Sequence, residues 1–139
     1  IEKIPKDLKV RGCLYLELSQ IKELPEGFEV GGDLILEGSL IKKLPEGLKV
    51  GGHLIFDYLS EIEELAEGLE VGKSLHLKHS KIKKLPGDLK VGGSIYLEGA
   101  QIRELPEGLH VGRNLYLQRD QIKEFPKDLE VGGEIKQRE

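Results

Sequence analysis

Leu14 to Gly32 reads LYLELSQIKELPEGFEVGG, and Leu34 to Gly52 reads LILEGSLIKKLPEGLKVGG. The second stretch repeats the first, twenty residues on. The same isoleucine returns as Ile1, Ile21, Ile41, Ile62, Ile82, Ile102 and Ile122, so the period is 20 with one insertion near Tyr58–Glu61. We number the repeat so that this isoleucine is position 11. Every valine then falls at position 20, from Val10 to Val131, and every proline at position 15, from Pro5 to Pro126; Ala66 alone breaks the proline column. A fixed period in this range is the signature of a stacked repeat protein.

Positions 4, 6, 11, 14, 18 and 20 hold Leu, Ile, Val or Phe in every copy, except for Gln137 in the last. One 20-residue coil cannot bury six such side chains, but stacked coils turn each column into a continuous apolar ladder. Positions 4 and 6 alternate with polar neighbours, as in Asp33-Leu34-Ile35-Leu36-Glu37. Period 2 predicts a short strand with one buried face, and the shared phase predicts parallel stacking at about 4.8 Å per coil, a body about 30 Å long. Proline at position 15 excludes a helix interior there, and the coil is too short for a full helix beside a strand and two turns. The return path is expected to be extended with 3₁₀-like turns. Position 17, as in Gly27, Gly47 and Asp7, is expected to form a left-handed corner. The fold class is all-β: one right-handed parallel solenoid of seven coils of about 20 residues, with little or no α-helix, forming a single domain over residues 1–139.

The chain has 139 residues, 33% of them charged, with 21 basic against 25 acidic side chains. A net charge of −4 argues against a general nucleic-acid binder and against a polybasic membrane patch. No apolar run approaches the roughly 20 residues of a membrane helix. The single cysteine, Cys13, excludes an internal disulfide framework. With no methionine, and Ile1 in mid-repeat, the sequence is expected to be part of a longer chain.

The LxL strand followed by the LP dipeptide resembles a leucine-rich repeat, specifically the short 20-residue bacterial class found in type III effectors. The resemblance covers essentially the whole chain. It implies a solenoid of leucine-rich-repeat type whose strand face binds another protein, in a reducing compartment or a host cytosol. The chain departs from that family at position 9, where Ser19, Ser39, Ser60, Ser80, Ala100 and Asp120 replace its asparagine, and at position 1, where glycine or Arg11 replaces leucine. Serine can still hydrogen-bond locally; Ala100 cannot.

On the outward side of the strand, position 5 runs Tyr15, Ile35, Ile55, His76, Tyr96, Tyr116, and position 7 includes Glu17, Glu37, Asp57 and Glu98. A tyrosine-rich apolar stripe rimmed by charge is what a protein-binding face requires. These ten residues are the candidate partner-binding site of a non-catalytic interaction module. The alternative is a structural segment that self-associates end to end, because a solenoid exposes its core at both ends and Ile1, Ile4 and Leu8 begin without a cap. The insertion places Tyr58 and Leu59 near His79 at one edge of the face.

Enzymatic chemistry finds no support. Cys13, Asp33 and His53 share position 3, but Asp33 stands between nucleophile and base, leaving them about 9–10 Å apart. His53 and His76, with Asp57 or His79, do not make the three or four converging ligands of a zinc site, so neither a metal nor a cofactor is expected. The Gly-Gly pairs recur with the fold and are corners, not a phosphate loop. A flat ice-binding face would be rich in threonine, and the chain has none.

Overall fold

The computed structural model describes residues 4–6, 8–58 and 61–138. Ile1, Asp7, Leu59 and Ser60, singled out above, lie outside the described residues. Along the chain come β1 (Leu14–Tyr15), β2 (Glu29–Val30), β3 (Leu34–Ile35), β4 (Lys49–Val50), β5 (Leu54–Ile55), β6 (Glu70–Val71), β7 (Leu75–His76), β8 (Lys90–Val91), β9 (Ile95–Tyr96), β10 (His110–Val111), β11 (Leu115–Gln118), β12 (Glu130–Val131) and β13 (Ile135–Arg138). The odd-numbered strands form a seven-stranded parallel sheet and the even-numbered strands a six-stranded one. The chain is thus an all-β parallel solenoid of coils of about 20 residues, and no helix occurs among the described residues. None is therefore long and apolar enough to cross a membrane.

Two expectations are corrected. The first and last copies of the repeat are partial, so the chain makes about six turns rather than seven. The return path is extended, as expected, but the described residues hold no 3₁₀ segment there. Its position-19 and position-20 residues pair from coil to coil into the second sheet, as in Val30↔Val50 and Val50↔Val71. β-Branched valine favours this pleated arrangement and buries its side chain inward. The position-19 residues outside it alternate in charge, with Glu29 beside Lys49, then Glu70, then Lys90.

The six apolar columns form one continuous core. In the third coil Leu54, Phe56, Ile62, Leu65, Leu69 and Val71 are all buried. Burial thins toward the ends, where Phe125 and Ile135 are partly exposed.

Two tight turns shape each coil. The Phe28 N–H donates to the Pro25 carbonyl at 3.2 Å, with Gly27 at φ 72°, as a type II turn requires at its third residue. Gly47, Gly68 and Gly108 repeat that corner. Asp88 and Asp128 do not adopt positive φ, although Leu89 N–H still reaches Pro86 O at 3.3 Å. The second turn, at positions 6 to 9, is absent from the sequence reading. Ser19 N–H donates to Leu16 O at 3.2 Å, and its left-handed residue is Leu18.

The glycines at positions 1 and 2 are not left-handed. They are required by close approach: a Cβ on Gly92 would run into the carbonyl oxygen of Gly72 in the preceding coil. At Gly87 the nearest atom to a Cβ is Glu107 O, 3.9 Å away. Gly92→Ala is therefore expected to lower the urea midpoint clearly, whereas Gly87→Ala shifts stability by no more than about 0.5 kcal/mol. Leu75→Ala, which opens a cavity at a fully buried site, is expected to cost about 2–5 kcal/mol in the same measurement.

Candidate functional site

The residues chosen from the sequence lie on one face of the seven-stranded sheet, because each pairs with its counterpart in the next coil. Tyr15 is level with Ile35, Ile35 with Ile55, Ile55 with His76, His76 with Tyr96, and Tyr96 with Tyr116. The stripe is less exposed than its sequence suggests. Tyr15 is 63% exposed, but Ile35, Ile55, His76, Tyr96 and Tyr116 are half-buried. In-register stacking is the reason. His76 lies over Tyr96 at 4.6 Å between ring centroids, and Tyr96 over Tyr116 at 4.5 Å with the planes 3° apart. Ring faces are used on one another, and ring edges point outward. Lys78 sits over the Tyr96 ring, and Lys136 and Arg138 over that of Tyr116. Burial, then Tyr116, holds the Tyr96 hydroxyl above its ordinary value.

The charge column divides. Glu17 is exposed, and Glu37 and Asp57 are half-buried. Burial, then Asp57 and Glu17, raises the Glu37 carboxyl above the usual range. Asp57 accepts the Lys78 N–H at 2.8 Å and lies 3.8 Å from His76 Nδ1. Glu98 is buried, 7% exposed; Oε2 faces Arg138 Nε at 3.5 Å and Oε1 has no hydrogen-bond partner among the described residues. It therefore offers little to an incoming partner.

Position 3 has a use the sequence did not reveal. Its side chain accepts the N–H of position 3 in the next coil, from one end to the other. Cys13 Sγ takes the Asp33 N–H at 3.3 Å and Asp33 Oδ1 the His53 N–H at 2.7 Å. His53 Nδ1 takes that of Ser74 at 3.2 Å, and Ser74 Oγ that of Ser94 at 3.0 Å. Ser94 Oγ and Asn114 Oδ1 serve Asn114 and Glu134 at 3.1 and 2.9 Å. Cys13, Asp33 and His53 are thus three rungs of one ladder. The available signal was that every residue in this column is a short acceptor.

Position 9 behaves differently from the sequence reading. The hydroxyls of Ser19, Ser39 and Ser80 are buried and have no hydrogen-bond partner among the described residues. At Ala100, which has no hydroxyl, the amide of Gln121 in the next coil spans the turn: Nε2 donates to Leu97 O at 2.8 Å and to Ala100 O at 3.1 Å, while Oε1 accepts the Gln118 N–H. The insertion does bring Tyr58 onto His79, with ring centroids 5.0 Å apart. No three His, Cys, Asp or Glu side chains converge on a common point suited to a metal among the described residues. His76 Nε2 approaches His53 Nδ1 at 3.4 Å, and nothing completes that pair into a ligand set.

No family model, no curated protein and no solved structure matches this chain.

Two expectations follow from the position-3 ladder and its neighbour His76. Ser94→Ala leaves the Asn114 N–H without its acceptor and is expected to cost about 1–3 kcal/mol in urea unfolding. Burial lowers the His76 pKa despite Asp57, which acts in the opposite direction. The unfolded chain, near the ordinary value of about 6.5, therefore takes up the proton first. This group's share of stability is complete above that value and is lost as pH falls through it toward the folded-state value. Thermal midpoints of the wild type should drop as pH falls below about 6.5, and His76→Phe, which keeps the ring stack, should flatten part of that drop.

Proposed function

We propose that the outer face of the seven-stranded sheet binds a partner protein and that the chain is a non-catalytic interaction module. The observation that carries this reading is exposed apolar surface beside charge: Tyr15 on the face, with Leu18 and Tyr58 on its rim, 75% and 51% exposed. Tyr15 and Leu18 leave most of their apolar surface in solvent, and exposed apolar surface grouped on one face marks interaction sites. Cys13, Asp33 and His53 are engaged as acceptors for backbone N–H groups, which supports a role without catalysis. The LxL strand and the LP dipeptide, each present in most coils, support a leucine-rich-repeat type, of the short bacterial class, for the solenoid as well. The valine sheet and the glycine edge are its departures.

Capture from a cell lysate tests this. Tyr15→Asp with Glu37→Lys alters the face at positions outside the core, and Lys49→Glu alters the opposite sheet. All variants are first shown folded by circular dichroism. A partner held by the wild type and by Lys49→Glu but lost with the face variant is the expected result. Capture unaffected by the face variant overturns the reading.

A further inference from the structure

The outer face of the seven-stranded sheet is electrically divided along the solenoid axis. At positions 2, 3, 5 and 7 the first three coils carry four carboxylates, Glu17, Asp33, Glu37 and Asp57, and no lysine or arginine. From the fourth coil onward the same positions carry Lys73, Lys78, Arg113, Lys136 and Arg138 against Glu98 and Glu134. Position 2 belongs to this face, because a Cβ on Gly52 would meet the Asp33 carboxylate at position 3. Several of these charges are uncompensated within the chain. Glu17, Glu37 and Arg113 have no ion-pair partner among the described residues, and the neighbouring Asp57 and Glu17 help to raise the Glu37 pKa.

Position 5 runs through both halves as an apolar and aromatic line. Ile35, Ile55, Tyr96 and Tyr116 are half-buried there, and Tyr15 keeps 63% of its surface in solvent. A face with acidic coils at one end and basic coils at the other complements itself once it is reversed. Two copies can be laid face to face by a two-fold axis in the interface plane in two ways. An axis along the solenoid sets acidic coils on acidic coils. An axis along the strands reverses the order of the coils, so acidic meets basic, and keeps position 3 opposite position 3 and position 7 opposite position 7.

We infer that this face binds a second copy of the same chain in that reversed, face-to-face arrangement. The inference rests on the protein-binding reading of the face and names the partner; it is distinct from end-to-end stacking. Centred on β7, reversal sets β1 against β13, β3 against β11 and β5 against β9. Glu17 then meets Arg138 of the second copy, Asp33 meets Arg113, and the exposed Tyr15 ring meets Lys136. Each pairing occurs twice, once from each copy. Ile35 and Ile55 meet Tyr116 and Tyr96, so the stripe left half-buried in one chain is covered by the other. The two Lys78 side chains fall at the axis, each one strand from Asp57 of the opposite copy. Seven strands span about 29 Å, and positions 3 to 7 about 13 Å. That is a small contact by the standard of permanent dimers, so the association is reversible, and its exposed ion pairs are screened by salt.

Sedimentation equilibrium with the full chain, at concentrations up to about 1 mM, tests the inference. The wild type is expected to form dimers and nothing larger, because a two-fold contact closes on itself whereas an end-to-end stack grows. Two double variants carry the test. Glu17→Lys with Glu37→Lys cancels the acidic half, and Arg113→Glu with Lys136→Glu reverses the basic half. All four residues lie outside the core, and circular dichroism first shows each variant folded. Each variant alone is expected to weaken the dimer at least tenfold. An equimolar mixture of the two is expected to restore it, since one end of the contact keeps its native charges and the other has them exchanged. A wild type that stays monomeric, species that grow past two copies, unchanged association in either variant, or a mixture no stronger than its components overturns the inference. If the chain is monomeric but lysate capture still depends on Tyr15 and Glu37, self-pairing alone falls; if capture is also independent of the face, both readings fall.

Discussion

Every residue in this protein must be compatible with its own counterpart one coil away, about 4.8 Å along the axis. Parallel pairing in strict register, Leu34 to Leu54 to Leu75 and Val30 to Val50 to Val71, imposes this on every column. Apolar columns satisfy it by packing into one core. The position-19 column satisfies it by alternating Glu29, Lys49, Glu70 and Lys90. Position 3 satisfies it by handing each coil's side-chain acceptor to the next coil's N–H. Position 1 does so with glycine, because carbonyls such as Gly72 O occupy the space a Cβ would need.

The same constraint shapes the candidate binding face. Aromatic residues placed one per coil stack on each other, so His76, Tyr96 and Tyr116 use ring area internally. Exposed apolar side chains remain at Tyr15 and Leu18, whereas Tyr58, 51% exposed, is itself stacked on His79.

Much of the candidate site was legible because outward positions of a strand can be counted from the pattern. Tyr15 through Tyr116 do occupy adjacent strands. What could not be counted was orientation. Glu98 belongs to the same column as Glu17 yet is buried against Arg138. Serine was expected to hydrogen-bond at position 9 where Ala100 cannot, yet the hydroxyls of Ser19, Ser39 and Ser80 have no partner among the described residues, and it is Ala100 whose carbonyl accepts from Gln121 of the following coil. Cys13, Asp33 and His53 carried the residue types of a nucleophilic site, but their equivalence appears only when each is seen accepting the same N–H.

The sequence by itself determined the period, the six apolar columns and hence an all-β parallel solenoid, because hydrophobic periodicity is a property of residue order alone. It also placed the corner at Gly27, Gly47 and Gly108, each two residues after a proline, and by its place in the same column at Gly68. Only the tertiary structure decided that the valine column forms a second sheet, that seven copies make about six turns, and that Leu18, Tyr58 and His79 sit left-handed. Those outcomes depend on hydrogen bonds between coils, which hold the backbone in conformations that neither leucine nor tyrosine favours locally.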